Sequence, residues 1–157
     1  MTRKEQYNQL ILQIAGLIKD ETNLVGILAN VSAALHDAFP ERFFWVGFYL
    51  QENGNMLRLG PFQGSVACYV IPFGKGVCGK AWEEGRTLIV PDVEKFPGHI
   101  ACSSLSRSEI VVPMYDDSHT FRGVLDIDST RLNDFNEDDK EGLERIIELL
   151  MAETQDL

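Results

Sequence analysis

Phe43-Phe44-Trp45-Val46-Gly47-Phe48-Tyr49-Leu50, then Glu52-Asn53-Gly54-Asn55, then Met56-Leu57-Arg58-Leu59: this stretch decides the fold of the chain. Aromatic and β-branched side chains suit a pleated, half-buried surface, and Asn-Gly supplies the positive φ values of a tight hairpin. The pattern predicts two antiparallel strands, Phe43 to Leu50 and Met56 to Leu59. Alternation places Trp45, Gly47 and Tyr49 on one face and Phe44, Val46 and Phe48 on the other. Burial in the core is the commonest fate of any one such aromatic. Trp and Tyr also carry polar tips, however, and such a pair is suited to enclosing a small apolar or cationic group.

Toward the N-terminus, Leu10, Ile11, Ile14, Leu17 and Ile18 recur at helical spacing, which predicts a helix from Tyr7 to Ile18. The cluster Asp20-Glu21-Thr22-Asn23 then caps a second helix carrying Leu24, Ile27, Leu28, Val31 and Leu35, which Pro40 stops. Toward the C-terminus the spacing predicts a short strand at Ala67 to Ile71 and a glycine-rich turn, Pro72-Phe73-Gly74-Lys75-Gly76. A short helix follows from Val77 to Glu84, ending at Gly85. A strand at Thr87 to Val90 leads into a long serine-rich loop, Pro91 to Arg107, of a length that usually signals function or mobility. A last hairpin, Ile110 to Tyr115 and Thr120 to Ser129, turns at Asp116-Asp117-Ser118-His119. Asn136 then caps a closing helix with acidic residues in its first turn and Leu143, Ile146, Ile147 and Leu150 on its apolar face. This order reads as an α+β fold with an antiparallel sheet and the terminal helices packed on one face.

The chain has 157 residues, 45% of them apolar, enough for one domain over residues 1–157 with a core of its own. A net charge of -10 leaves no basic stripe for nucleic acid and disfavours an anionic membrane surface. The N-terminal helix is interrupted by Gln13 and Lys19, unlike the apolar core of a signal peptide, and no stretch has the length to span a bilayer. Three cysteines without a signal peptide point to the reducing cytoplasm, where a disulfide would be transient.

Those three cysteines, Cys68, Cys78 and Cys102, cannot all pair within one chain. Cys102 is the best nucleophile by location, because a loop thiol can be exposed. A strand thiol such as Cys68 is expected to be a small core residue, and Cys78 shares that expectation, tempered by a helix N-terminus that favours a thiolate. On the last strand Asp126 and Asp128 share a face with Val124, about 7 Å apart at the backbone. They either look out to water or converge on a cationic group. Zinc held by the three cysteines and His99 ranks low, since there is no Cys-x2-Cys pair. A hydrolase built on Cys102 and His99 has weak support, and His36 and His119 show no partner. Gly74-Lys75-Gly76-Val77-Cys78-Gly79 lacks the spacing of a phosphate cradle and serves better as a tight turn.

Taken together, four segments resemble the free methionine-(R)-sulfoxide reductases, which are stand-alone GAF domains. They are Phe44-Trp45-Val46-Gly47-Phe48-Tyr49, the run from Ile71 to Gly79, the segment holding Cys102 and Glu109, and Gly123-Val124-Leu125-Asp126-Ile127-Asp128-Ser129. The resemblance covers nearly the whole chain. It implies a GAF fold, a central antiparallel sheet of about six strands flanked by helices, often dimeric through the terminal helices. It also implies roles: Cys102 as nucleophile, Cys68 as resolving cysteine, Cys78 as an auxiliary one, Trp45 and Tyr49 around the substrate methyl, and Glu109, Asp126 and Asp128 as acidic substrate-binding residues. The implied substrate is free methionine-(R)-sulfoxide and the implied external reductant thioredoxin, with no metal and no bound organic cofactor. The chemistry suits these residues. Thiolate attack on a sulfoxide sulfur needs its oxygen protonated as it leaves, and crowded carboxyls keep a proton at neutral pH. A ligand-sensing GAF module, or a redox sensor using the same disulfide, is the alternative from another class.

Overall fold

The structure, a computed structural model, describes residues 1–155. Its centre is a six-stranded antiparallel sheet in the order β3-β2-β1-β6-β5-β4, formed by β1 (Trp45–Glu52), β2 (Met56–Gln63), β3 (Val70–Pro72), β4 (Leu88–Val90), β5 (Ser108–Tyr115) and β6 (Phe121–Ser129). Three helices, α1 (Arg3–Ile18), α2 (Leu24–Ala38) and α4 (Glu137–Glu153), share a core with one face of the sheet. The remaining helix, α3 (Gly76–Glu84), lies on the other. This is the α+β architecture that the hairpin and helix patterns imply. Among the described residues no helix is long and apolar enough to cross a membrane.

Period-two alternation builds two separate cores. Val46, Phe48, Ile110, Val112, Leu125 and Ile127 point to the three-helix side. Trp45, Tyr49, Val111 and Val124 point to the side of α3, where they meet Leu57, Ile71 and Cys78. Phe44 departs from the expected alternation. It precedes the first strand residue and packs with the α3-side core, because the pleat begins only at Trp45.

Several boundaries differ from the sequence reading for local reasons. α1 starts four residues early, since its first turn is polar and its start is set by the Thr2 side chain, which accepts from the Glu5 N–H at 3.1 Å. β2 runs on through Gly60-Pro61 to Gln63. Its neighbour β3 covers only Met56 to Arg58, so Pro61 lies on an edge where no N–H is needed. β3 is shorter and later than Ala67 to Ile71, which leaves Cys68 in an irregular segment before it. β5 begins at Ser108, two residues before its apolar run, because the buried Ser108 hydroxyl donates to the Arg131 carbonyl. Glu109 therefore sits on a strand. α3 ends as expected at Gly85, whose φ of 67° is left-handed and whose N–H reaches the Ala81 carbonyl at 2.9 Å.

One polar network ties the helices to the end of the sheet. The Tyr7 hydroxyl donates to Asp139 Oδ1 at 2.7 Å, and Arg42 Nη2 reaches the same oxygen at 3.0 Å. Arg42 Nε donates to Asp134 Oδ1 at 3.2 Å, and the Ser129 hydroxyl to Asp134 Oδ2 at 2.6 Å. The Arg42 guanidinium lies 5.2 to 5.6 Å from the ring centroids of Phe39, Phe43 and Phe135. Asn136 closes the network with a capping box at the start of α4.

Candidate functional site

The α3 side of the sheet carries a pocket of about 40 Å³. Its floor comes from alternation on three neighbouring strands. In the β5–β6 register Glu109 faces Asp128 and Val111 faces Asp126, while in the β1–β6 register Trp45 faces Asp128 and Gly47 faces Asp126. Three carboxyls and two aromatic rings thus emerge on one face within two strand steps. Cys78 joins them from the first turn of α3, and the long loop before β5 closes the top with His99, Cys102 and Ser106.

The aromatic wall is a stack. The Trp45 ring lies 5.9 Å from Tyr49 and 5.1 Å from Phe62. Gly47 makes the stack possible, because a Cβ there would strike the Phe62 side chain and sit 2.9 Å from the Trp45 ring. Both polar tips are used: Trp45 Nε1 donates to the Ser65 carbonyl and the Tyr49 hydroxyl to the Cys68 carbonyl, each at 3.0 Å.

Cys68 and Cys102 are joined in a disulfide with a Cα–Cα distance of 5.5 Å, while Cys78 remains free and buried. Cys68, expected as a small core residue on a strand, instead lies half-buried in the segment between β2 and β3. Cys102 lies half-buried in the long loop and lines the pocket. The helix N-terminus does not activate Cys78. Burial first, then Asp126, Glu109 and Asp128, push its thiol well above the ordinary range.

The carboxyls converge instead of facing water. Glu109 is 5% and Asp126 6% exposed. Burial, with Asp126 and Asp128 beside it, pushes the Glu109 carboxyl well above the usual carboxylate range. Burial and the Asp126 charge raise Asp128 in the same way. Asp126 is raised by burial, opposed by hydrogen bonds from Glu109 and Cys78 and by His99. Its Oδ1 is buried with no donor to it, which leaves an unsatisfied acceptor on a residue that lines the pocket. Burial thus raises all three carboxyls, and the group titrates as a unit.

With the disulfide closed, Cys68 and Cys102 are not available as zinc ligands beside Cys78 and His99. Cys78, Glu109 and Asp126 bring one donor atom each within 4.8 Å of one another. Burial raises the pKa of both carboxyls, so an ion there would have to displace protons from them.

His99 enters the site through Glu109 Oε1, which is 3.9 Å from its Nε2, and burial lowers its pKa. Ser106 also lines the pocket, and its hydroxyl works against the rise in the Asp128 pKa. The sequence offered His99 only as a weakly supported zinc ligand or hydrolase partner of Cys102, and Ser106 not at all, its only signal being the length of the loop. The remaining histidines lie elsewhere: His36 is 3.7 Å from Asp37, and His119 stacks on Tyr115.

The family model described as "GAF domain" matches residues 21–152. The chain is 56% identical over 149 residues to "GAF domain-containing protein A" of Dictyostelium discoideum, covering 95% of this chain and 92% of that one. It is 43% identical over 155 residues to "Free methionine-R-sulfoxide reductase" of Saccharomyces cerevisiae, covering 96% and 86%. The solved structure of a free methionine-R-sulfoxide reductase from Neisseria meningitidis in complex with its substrate superposes with a TM-score of 0.94. It is 47% identical, with 99% of this chain and 92% of that chain covered.

Proposed function

The chain belongs to the GAF-domain free methionine-R-sulfoxide reductases, and on that premise we propose that it reduces free L-methionine-(R)-sulfoxide to methionine by cysteine chemistry in the pocket above β1, β5 and β6. The observation that carries the reading is the Cys68–Cys102 disulfide at a pocket floored by three converging carboxyls. In the reduced protein the Cys102 thiolate attacks the sulfoxide sulfur. Glu109 delivers a proton toward the departing oxygen, and methionine leaves with a sulfenic acid on Cys102. The Cys68 thiol condenses with that sulfenic acid, releasing water and forming the disulfide.

Asp126, whose Oδ1 has no donor, and Asp128 receive the ammonium of the amino acid, while Trp45 and Tyr49 pack around its S-methyl group. Recognition of the free ammonium excludes a methionine sulfoxide inside a peptide. Cys78 is an auxiliary thiol, suppressed by burial. The cycle needs no metal and no bound organic cofactor, and an external dithiol, thioredoxin, restores the thiols by exchange in the cytoplasm. Leu12 and Leu17 are exposed on α1, and a second copy of the chain would cover apolar surface there in a homodimer.

The test follows NADPH oxidation by thioredoxin reductase and thioredoxin with this protein. It compares free L-methionine-R-sulfoxide, the S-epimer and an N-acetyl amide R-sulfoxide, with Cys102→Ser as control. Turnover of the free R-epimer alone, lost in the variant, is the expected result. No turnover by the folded, reduced protein would redirect attention to a ligand-sensing or redox-sensing role.

A further inference from the structure

The segment that carries Cys68 is weakly held. Residues 63–66 and Tyr69 are exposed, and residues 66–68 have no regular structure. Yet Cys68 must approach Cys102 to within a few ångström, across a sequence separation of 34 residues, each time the disulfide closes. Before that bond exists, something else has to keep Cys68 within reach.

Two hydrogen bonds do this, both from the pocket wall. Trp45 Nε1 holds the Ser65 carbonyl and the Tyr49 hydroxyl holds the Cys68 carbonyl, at 3.0 Å each. The segment also lies tight on the ring beneath it: Gly64, at a φ of 145°, runs so close that a Cβ would stand 2.5 Å from Trp45 Cδ1. Tyr49 is 2% exposed and anchored in β1, so its hydroxyl is a fixed point.

We infer that Tyr49 is a positioning residue for the second half of the cycle: its hydroxyl holds the backbone of Cys68 so that this thiol reaches the Cys102 sulfenic acid. The step is Cys102–SOH plus Cys68–SH giving the disulfide and water. This deepens the reductase reading, because the ring that lies against the substrate's methyl group also fixes the resolving cysteine. The donor and the thiol share one residue's reach, so loss of the hydroxyl frees Cys68 without emptying the pocket wall.

The experiment oxidises the reduced protein with one equivalent of hydrogen peroxide in the presence of a sulfenic-acid-trapping dione. Mass spectrometry then gives the ratio of trapped Cys102 to Cys68–Cys102 disulfide. This ratio depends on closure alone, whatever the rate of the first step. In Tyr49→Phe it should rise about two- to tenfold, the range carried by one neutral hydrogen bond. Tyr7→Phe removes the phenol bond of a comparably buried tyrosine, that to Asp139 on α4, and serves as the control for general loosening. Its ratio should stay at the wild-type value. An unchanged ratio in Tyr49→Phe, or an equal rise in Tyr7→Phe, overturns the inference. Peroxide supplies the oxidising equivalent, so the result stands apart from any failure to turn over methionine sulfoxide.

Discussion

Glu109 on β5 lies directly opposite Asp128 on β6, both on the α3 face, so two carboxyls occupy a cross-strand pair that like charges destabilise. Burial raises the pKa of both, which favours the neutral form of the pair. Asp126 on β6, Cys78 on α3, Tyr49 on β1 and His99 from the loop are the other titratable groups at the cluster. A carboxyl that holds its proton more tightly folded than unfolded stabilises the fold at low pH. That contribution is lost as pH climbs from about 4, where the unfolded carboxyl ionises, through the raised folded value. Wild-type stability should therefore fall as pH rises above about 4.5 more steeply than that of Glu109→Gln, by up to about 1.4 kcal/mol per pH unit for this one group. Parallel melting curves for the two proteins over that range would refute it. The same substitution should lower kcat about 100-fold or more, since an amide has no proton to give the leaving oxygen.

Cys78 should be silent in the folded protein. It is 3% exposed and its thiol is pushed well up by burial and three carboxyls. With the disulfide closed, a thiol reagent at pH 8 should find no reactive group until denaturant is added, and then one per chain. Rapid stoichiometric labelling of the native oxidised protein would show the thiol to be activated after all.

Gly47→Ala tests the aromatic wall. The new methyl has to displace Phe62 or Trp45, so the Trp45–Phe62 stack opens. A loss of about 1–3 kcal/mol in urea unfolding is expected, with a KM for the free sulfoxide raised several-fold. Wild-type values of both would mean that the wall does not touch the substrate.

Arg42→Met tests the far network. Asp139 is fully buried, and losing one of its two arginine partners leaves its charge poorly compensated. The cost should be about 3 kcal/mol, read as a lower urea midpoint with an unchanged slope. A change below about 0.5 kcal/mol would show that Arg3 alone suffices.

The strands and helices were legible in the sequence because their apolar residues repeat at a period of 2 or 3.6 over long windows. Their ends were less so, since polar residues set them. The first turn of α1 is polar, and Ser108 and Glu109 start β5 with buried polar side chains that no hydropathy pattern reveals. Asp126 and Asp128 could be placed on one face by alternation. Whether that face met water depended on α3 and the long loop folding over it. Ser106 stayed out of view and His99 had only weak support because a loop has no period to read, and Cys68 was misplaced because its strand starts at Val70, three residues later than expected. The suppression of Cys78 is likewise tertiary: the helix end that favours a thiolate is outweighed by the acids facing it.

The Cys68–Cys102 bond also ties β3, α3 and β4 into a single ring. Closing a loop with a separation of 34 residues removes unfolded-chain entropy worth about 4 kcal/mol. Each catalytic cycle would then move the whole molecule between two heat tolerances, hardier after it has fired and softer once recharged. A cell short of reducing power would accumulate the durable form, a reserve waiting for thiols to return.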